Sequence, residues 1–136
     1  MDLLDAMAQA AQGMKAQGVR MRVISENLAN AETTGKEKGQ APYQRKIVTF
    51  KNILDRASGR KQVEVDRILP DRSDFIMKYD PSHPAADKNG YVKMPNVNPL
   101  LEMMDMREAQ RSYEANLGVI DMAKGMLMRT LELLSR

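Results

Sequence analysis

The sequence predicts a mainly α-helical chain with a small β-rich insert, an α+β fold. Two observations carry this. Apolar residues recur at seven-residue spacing near each end, and a period-two alternation replaces that spacing in the middle. The terminal helices, over residues 1–31 and 98–136, are expected to pair as one antiparallel coiled-coil hairpin. Residues 32–97 then form an extended β-rich insert with loops.

At the N-terminus, Asp2 suits a helix cap with Asp5 one turn in, and no proline follows before Pro42. Met7, Met14, Met21 and Leu28 form a column on one face, bordered by small residues that let a partner helix approach closely. Gly13 and Gly18 each cost ~1 kcal/mol of helix propensity, so this helix depends on packing. It is expected to end near Asn30, a residue tolerant of the left-handed conformation that closes many helices. Lys36 to Gln40 is polar and glycine-flanked, which predicts an exposed loop. Tyr43, Ile47, Val48 and Phe50 then mix β-formers with basic residues. Val63, Val65, Ile68 and Leu69 alternate with charged residues, as half-buried strand does. Phe75, Met77 and Tyr79 alternate again, and Asp87-Lys88-Asn89-Gly90 reads as a tight turn entering a short strand at Tyr91-Val92. Asn98-Pro99 combines a good N-cap with a proline suited to the first turn. From there Met106, Tyr113, Ile120, Leu127 and Leu134 form a second column. Val119, Met126 and Leu133 lie on another side. A helix from Asn98 to the end would be ~57 Å long at ~1.5 Å per residue, too long to bury itself in a chain of 136 residues.

Composition narrows function. Aromatic residues make up only 4% and methionines number 12, so the bulky anchors of a compact enzyme core are scarce. There is no cysteine, which removes disulfides and thiolate chemistry. One histidine, with no Gly-x-Ser-x-Gly and no phosphate-binding loop, assembles no nucleophile and base, and the reading is not an enzyme. His83 between Asp80 and Asp87 has no further ligand nearby, so no metal or other cofactor is expected. A calcium loop fails as well: with Gly90 sixth, Ala85 and Asn96 would stand where Asp and Glu belong. Residues 31–80 carry eleven basic against eight acidic groups, and this segment holds the whole net charge of +3. Arg45, Lys46, Lys51, Arg56, Arg60, Lys61, Arg67 and Arg72 are diluted by Asp55, Glu64, Asp66, Asp71 and Asp74, which argues against nucleic acid. No small-molecule substrate is implied. No signal peptide or membrane span is visible, and these rules alone point to the cytoplasm.

At Ile24-Ser25-Glu26-Asn27-Leu28-Ala29-Asn30-Ala31 the sequence resembles the N-terminal signature of the bacterial flagellar axial proteins, the rod, hook and hook-associated family. Three further blocks follow in order. They are Tyr43 to Phe50, the run Asp87 to Val97 with Gly90, Tyr91, Met94, Pro95 and Asn96, and Arg111-Ser112-Tyr113-Glu114-Ala115-Asn116. The run Asp87 to Val97 resembles the proximal-rod members most. The charged loop Glu32 to Gly39 departs from the pattern. The resemblance implies a structural subunit of the rod in the flagellar basal body, and replaces the cytoplasmic expectation with the periplasmic space. It implies export through the flagellar type III apparatus without a cleaved signal. It also implies assembly with copies of itself, other rod proteins and the adaptor protein at the membrane ring.

The residues supply the mechanics. Met7, Met14, Met21, Leu28, Tyr113, Ile120, Leu127 and Leu134 are expected in the helix pair, and Val119, Met126 and Leu133 against neighbouring subunits. One stripe per helix, set against the entropy of ordering both segments, leaves an isolated hairpin marginal, so the termini are expected to order fully on assembly. A coiled-coil adaptor outside the flagellum, binding one partner without polymerising, is the alternative reading, with a nucleic-acid-binding protein as a less favoured second alternative.

Overall fold

A computed structural model describes residues 2–136. Helix α1 runs Leu3–Ala29 and helix α2 runs Pro99–Leu134. Between them lie two antiparallel ribbons, β1 (Lys46–Asp55) with β2 (Arg60–Pro70), and β3 (Ile76–Tyr79) with β4 (Tyr91–Met94).

The helices pack as an antiparallel hairpin. Asn27 lies against Glu102, Arg20 against Glu108, and Gly13 against Asn116, so rising positions on α2 meet falling positions on α1. A Cβ on Gly13 would come within 2.7 Å of the Asn116 amide, so the absent side chain is what admits Asn116. Small and β-branched residues fill the seam: Ala10, Ala16, Val23, Ile24, Ala109 and Ala123 are all buried. Seven-residue steps hold one face inward, and alanine keeps the helices close.

The helix boundaries have local causes. The Asn98 side chain accepts from the N–H groups of Leu100 and Leu101, with Pro99 opening the first turn. Asp5 reaches back to the Asp2 N–H. Asn30 ends α1 differently from the expectation. Its backbone, at φ −105° and ψ 14°, is not left-handed, and its side-chain amide instead donates to the Glu26 carbonyl at 2.9 Å.

The β1–β2 ribbon lies beside α1. Lys46 pairs with Glu26 at one end and Arg60 with Asp5 at the other, each with N···O within 2.6 Å. Asp66 is the extra residue of a bulge opposite Thr49 and Phe50. Val63, Ile68 and Leu69, expected on a half-buried face, are exposed, because a two-stranded ribbon has only one helix to lean on. In the second ribbon Gly90 takes φ 85°, and a Cβ there would sit 2.9 Å from the Tyr79 ring. Only glycine serves both demands.

Candidate assembly surface and the polar junction behind it

Three chain segments meet where the insert joins the hairpin, and polar side chains join them. Asn27, 1% exposed, donates to the Lys46 carbonyl at 2.8 Å and accepts from the Lys46 N–H at 2.9 Å. Its amide thus replaces a strand partner at the start of β1. Tyr43 donates its hydroxyl to Asn27 Oδ1 at 2.8 Å. Burial, reinforced by the Glu26 carboxylate, raises the Tyr43 pKa and keeps the phenol protonated for that bond. Asn96 does the same work one segment on. It accepts from the Arg45 N–H at 2.8 Å and donates to the Asp71 and Ser73 carbonyls at 2.9 and 3.1 Å.

Arg45 stands at the centre. Its guanidinium donates to Glu102, itself 1% exposed, and to Asp71 at 2.9 Å. Burial works against that positive charge, but the bonds to Glu102 and Asp71 outweigh it and the Arg45 pKa rises. The junction therefore fastens the first turn of α2 to the entry of β1 and to the Asp71 loop with charge-assisted hydrogen bonds.

Asp71 is held below the usual carboxylate range, first by the Ser73 N–H and then by the Ser73 and Arg45 side chains. A depressed carboxylate stabilises the fold above its unfolded pKa, and that contribution disappears as pH falls through the folded value. The urea midpoint of the full chain is therefore expected to fall between pH 5 and pH 3, and Asp71→Asn to narrow that difference. An unchanged difference in the variant would remove Asp71 from the acid response.

The eight basic residues singled out between Arg45 and Arg72 do not make a basic strip. Arg45, Lys46, Lys51, Arg60 and Arg67 are each within 4 Å of a carboxylate. His83 has both ring nitrogens engaged, Nε2 with the Thr34 hydroxyl and Nδ1 accepting the Ala85 N–H.

The second face of α2 is open. Val119 is 42% exposed, Met126 51% and Leu133 70%, and Met122 joins them at helical spacing. At ~100° per residue these four form one flank, turned away from the Ala109/Ala123 seam. Met7, Met14, Met21 and Leu28 are half-buried, as are Tyr113, Ile120 and Leu127. Leu134 is corrected. It is 78% exposed, because the pairing register places Leu3 near residue 126 and α2 runs on about two turns past it. Tyr91 stacks edge-on against Tyr79 at 5.3 Å, Pro95 is buried, and Met94 pairs across the ribbon with Ile76. Leu28 lies half-buried beside Asn27, Ala29 and Arg111 face outward, and Asn116 fills the gap over Gly13.

Residues 7–35 match the family described as flagella basal body rod protein, and residues 88–133 the flagellar basal body rod FlgEFG protein C-terminal family. These two spans contain the Asn27–Asn30 motif and the Gly90 and Arg111 blocks, and they define a flagellar rod protein. Full-length similarity is more specific. Flagellar basal-body rod proteins FlgC are 52% identical in Agrobacterium fabrum, over 98% of this chain and 97% of the relative, and 43% identical in Bacillus subtilis, over 91% and 93%. The Salmonella typhimurium protein of that name is 39% identical over 98% of both. The chain belongs to the FlgC family of flagellar basal-body rod proteins: it is a structural subunit of the proximal rod, assembles with other basal-body rod proteins, and is not an enzyme.

Proposed function

We propose that this subunit polymerises, with copies of itself and with other rod proteins, through the outer faces of its paired helices, and so forms part of the drive shaft that carries motor torque. The observation that supports this most is the exposed Val119/Met122/Met126/Leu133 flank on a helix already satisfied on its other side. Burying one such side chain contributes ~1.5–3 kcal/mol, and the gain repeats in every subunit. Helices packed along their length resist twist, because torsion must shear all the contacts together. In this reading the terminal helices act as one rod-forming unit, and residues 32–97 act as an insert facing other neighbours. The overhang past residue 127 gains its packing on assembly, which agrees with termini that order as the rod grows. Export by the flagellar type III apparatus without a cleaved signal, a position in the periplasmic space and contact with the adaptor protein at the membrane ring complete the proposal.

The test is deletion of the gene, followed by swimming assays and electron microscopy of basal bodies. Loss of swimming, with membrane rings present and rods absent, is the expected result. Normal rods in the deletion strain would overturn the reading.

A further inference from the structure

The β1–β2 ribbon matches α1 in length and is fastened to it at both ends. Lys46–Asp55 spans ~30 Å as strand at ~3.3 Å per residue, and Asp5 to Glu26 spans ~32 Å as helix at ~1.5 Å per residue. The two fastenings differ. At the root, the Asn27 amide exchanges two hydrogen bonds with the Lys46 backbone, Tyr43 bonds to the same amide, and Lys46 pairs with Glu26. At the tip there is one ion pair, Arg60 Nη1 to Asp5 Oδ2 at 2.6 Å. Between root and tip the packing is loose. Open gaps of about 430 and 130 Å³ lie between Gln62, Val63 and Val65 of β2 and Gln12 and Ala16 of α1.

Both partners at the tip are specialised. The same Asp5 oxygen also accepts the Asp2 N–H at 3.3 Å, so one carboxylate caps α1 and holds the ribbon. Arg60 Nη1 is shielded from water and finds no hydrogen-bond acceptor beyond this ionic contact. A guanidinium nitrogen so placed is stable only with the carboxylate against it. Once the pair breaks, the tip has to lift until water reaches Arg60. The tip therefore has two states, paired and closed or hydrated and open. It moves as one piece, because Asp55 accepts from the Ala57 N–H and the Ser58 hydroxyl, and Gly59 completes the turn at φ 70°.

The helix beneath is poorly held without it. From Asp2 to Gln9 no residue is buried, and the first buried residue of α1 is Ala10. Among the described residues, Arg60 is the one side chain from outside this stretch that pairs with it. We propose that the β1–β2 ribbon is a strap with a fixed root and a releasable tip, and that closing the tip through Arg60 and Asp5 orders the first two turns of α1. The start of α1 then gains its order within the subunit, whereas the α2 overhang gains its packing from a neighbour in the proposed assembly.

Hydrogen exchange on purified full-length protein tests this, by comparing the amides of residues 6–9 with those of residues 20–27. Arg60→Gln is expected to speed exchange at 6–9 at least about tenfold, while 20–27 change by less than about twofold. Arg60→Lys, which keeps the charge, should retain most of the protection. Because the chain has no cysteine, Asp5→Cys with Arg60→Cys supplies a defined pair of thiols. With the thiols free, residues 6–9 should exchange as fast as in Arg60→Gln. Joining them with a short bismaleimide should return the protection, although cap and charge are both gone. Parent-like exchange in Arg60→Gln would mean that the helix pair alone orders the start of α1, and would overturn the proposal. Equal acceleration at 6–9 and 20–27 would do the same, since Arg60 would then support the whole fold and not a releasable tip. Fast exchange that persists in the linked pair would show that closing the tip does not order the helix, and the strap would be rejected.

Discussion

Met126→Asp is expected to abolish swimming while leaving the monomer soluble and folded. In the monomer Met126 is 51% exposed, so the change costs little more than the helix-propensity difference, below ~1 kcal/mol. In a rod the same side chain would lie between packed helices. A carboxylate there has no free partner on its own flank: within one turn lie Met122, Thr130, whose hydroxyl already donates to the Met126 carbonyl at 3.0 Å, and Arg129, which points partly away from the stripe. Leaving a charge unpaired in a dry interface costs ~3–5 kcal/mol, which is at least a hundredfold in subunit affinity. The cost recurs at each addition, so elongation stops instead of slowing slightly. Soft-agar swimming of the complemented deletion strain, together with thermal melts of purified variant, separates assembly from folding. Normal swimming would show that this flank of α2 does not face a neighbour.

The fold was readable because it is repetitive. Seven-residue columns locate both helices, Asn98-Pro99 marks where α2 starts, and the turn at Gly90 marks where β4 starts. The depth of the seam was not readable from bulky residues. The most buried column of α2, Glu102, Ala109 and Ala123 with Asn116 between them, has the same seven-residue step as the methionine and leucine columns. It passes unnoticed because alanine and polar residues look like surface. A search for small residues at heptad spacing would find Ala109 and Ala123. Nothing in the sequence marks Glu102. A carboxylate in the first turn of a helix reads as complementing the helix dipole in water, and only the chain fold brings Arg45 to it from 57 residues away. The motif residues divide in the same way. Asn27 and Asn96 carry the junction's hydrogen bonds, whereas Arg111 lies exposed on the helix surface.

Arg45→Met is expected to destabilise the monomer by ~3–5 kcal/mol, the usual cost of removing one partner from a buried ion pair. It leaves the Glu102 carboxylate, 1% exposed, without its guanidinium. For a chain of this size that corresponds to a fall in melting temperature of roughly 10 °C or more. Glu102→Met should cost less, since Arg45 keeps Asp71 at 2.9 Å and remains partly in water. The double variant should recover much of the loss, because two apolar side chains of similar length satisfy one another where one charge cannot. The sign of the coupling decides the matter: the double variant should be at least ~1 kcal/mol more stable than the sum of the singles predicts. Additive losses would mean that Arg45 acts through Asp71 and packing alone. A recovered double variant that folds but assembles poorly would give the pair a second purpose. Since Arg45, Asn96 and Asn27 together set how the insert leaves the hairpin, a junction rebuilt from methionines could keep its stability and lose that angle. Rod formation in cells would then fall while melting temperature did not, and that outcome would assign to the charged junction the holding of the insert in register with its neighbours.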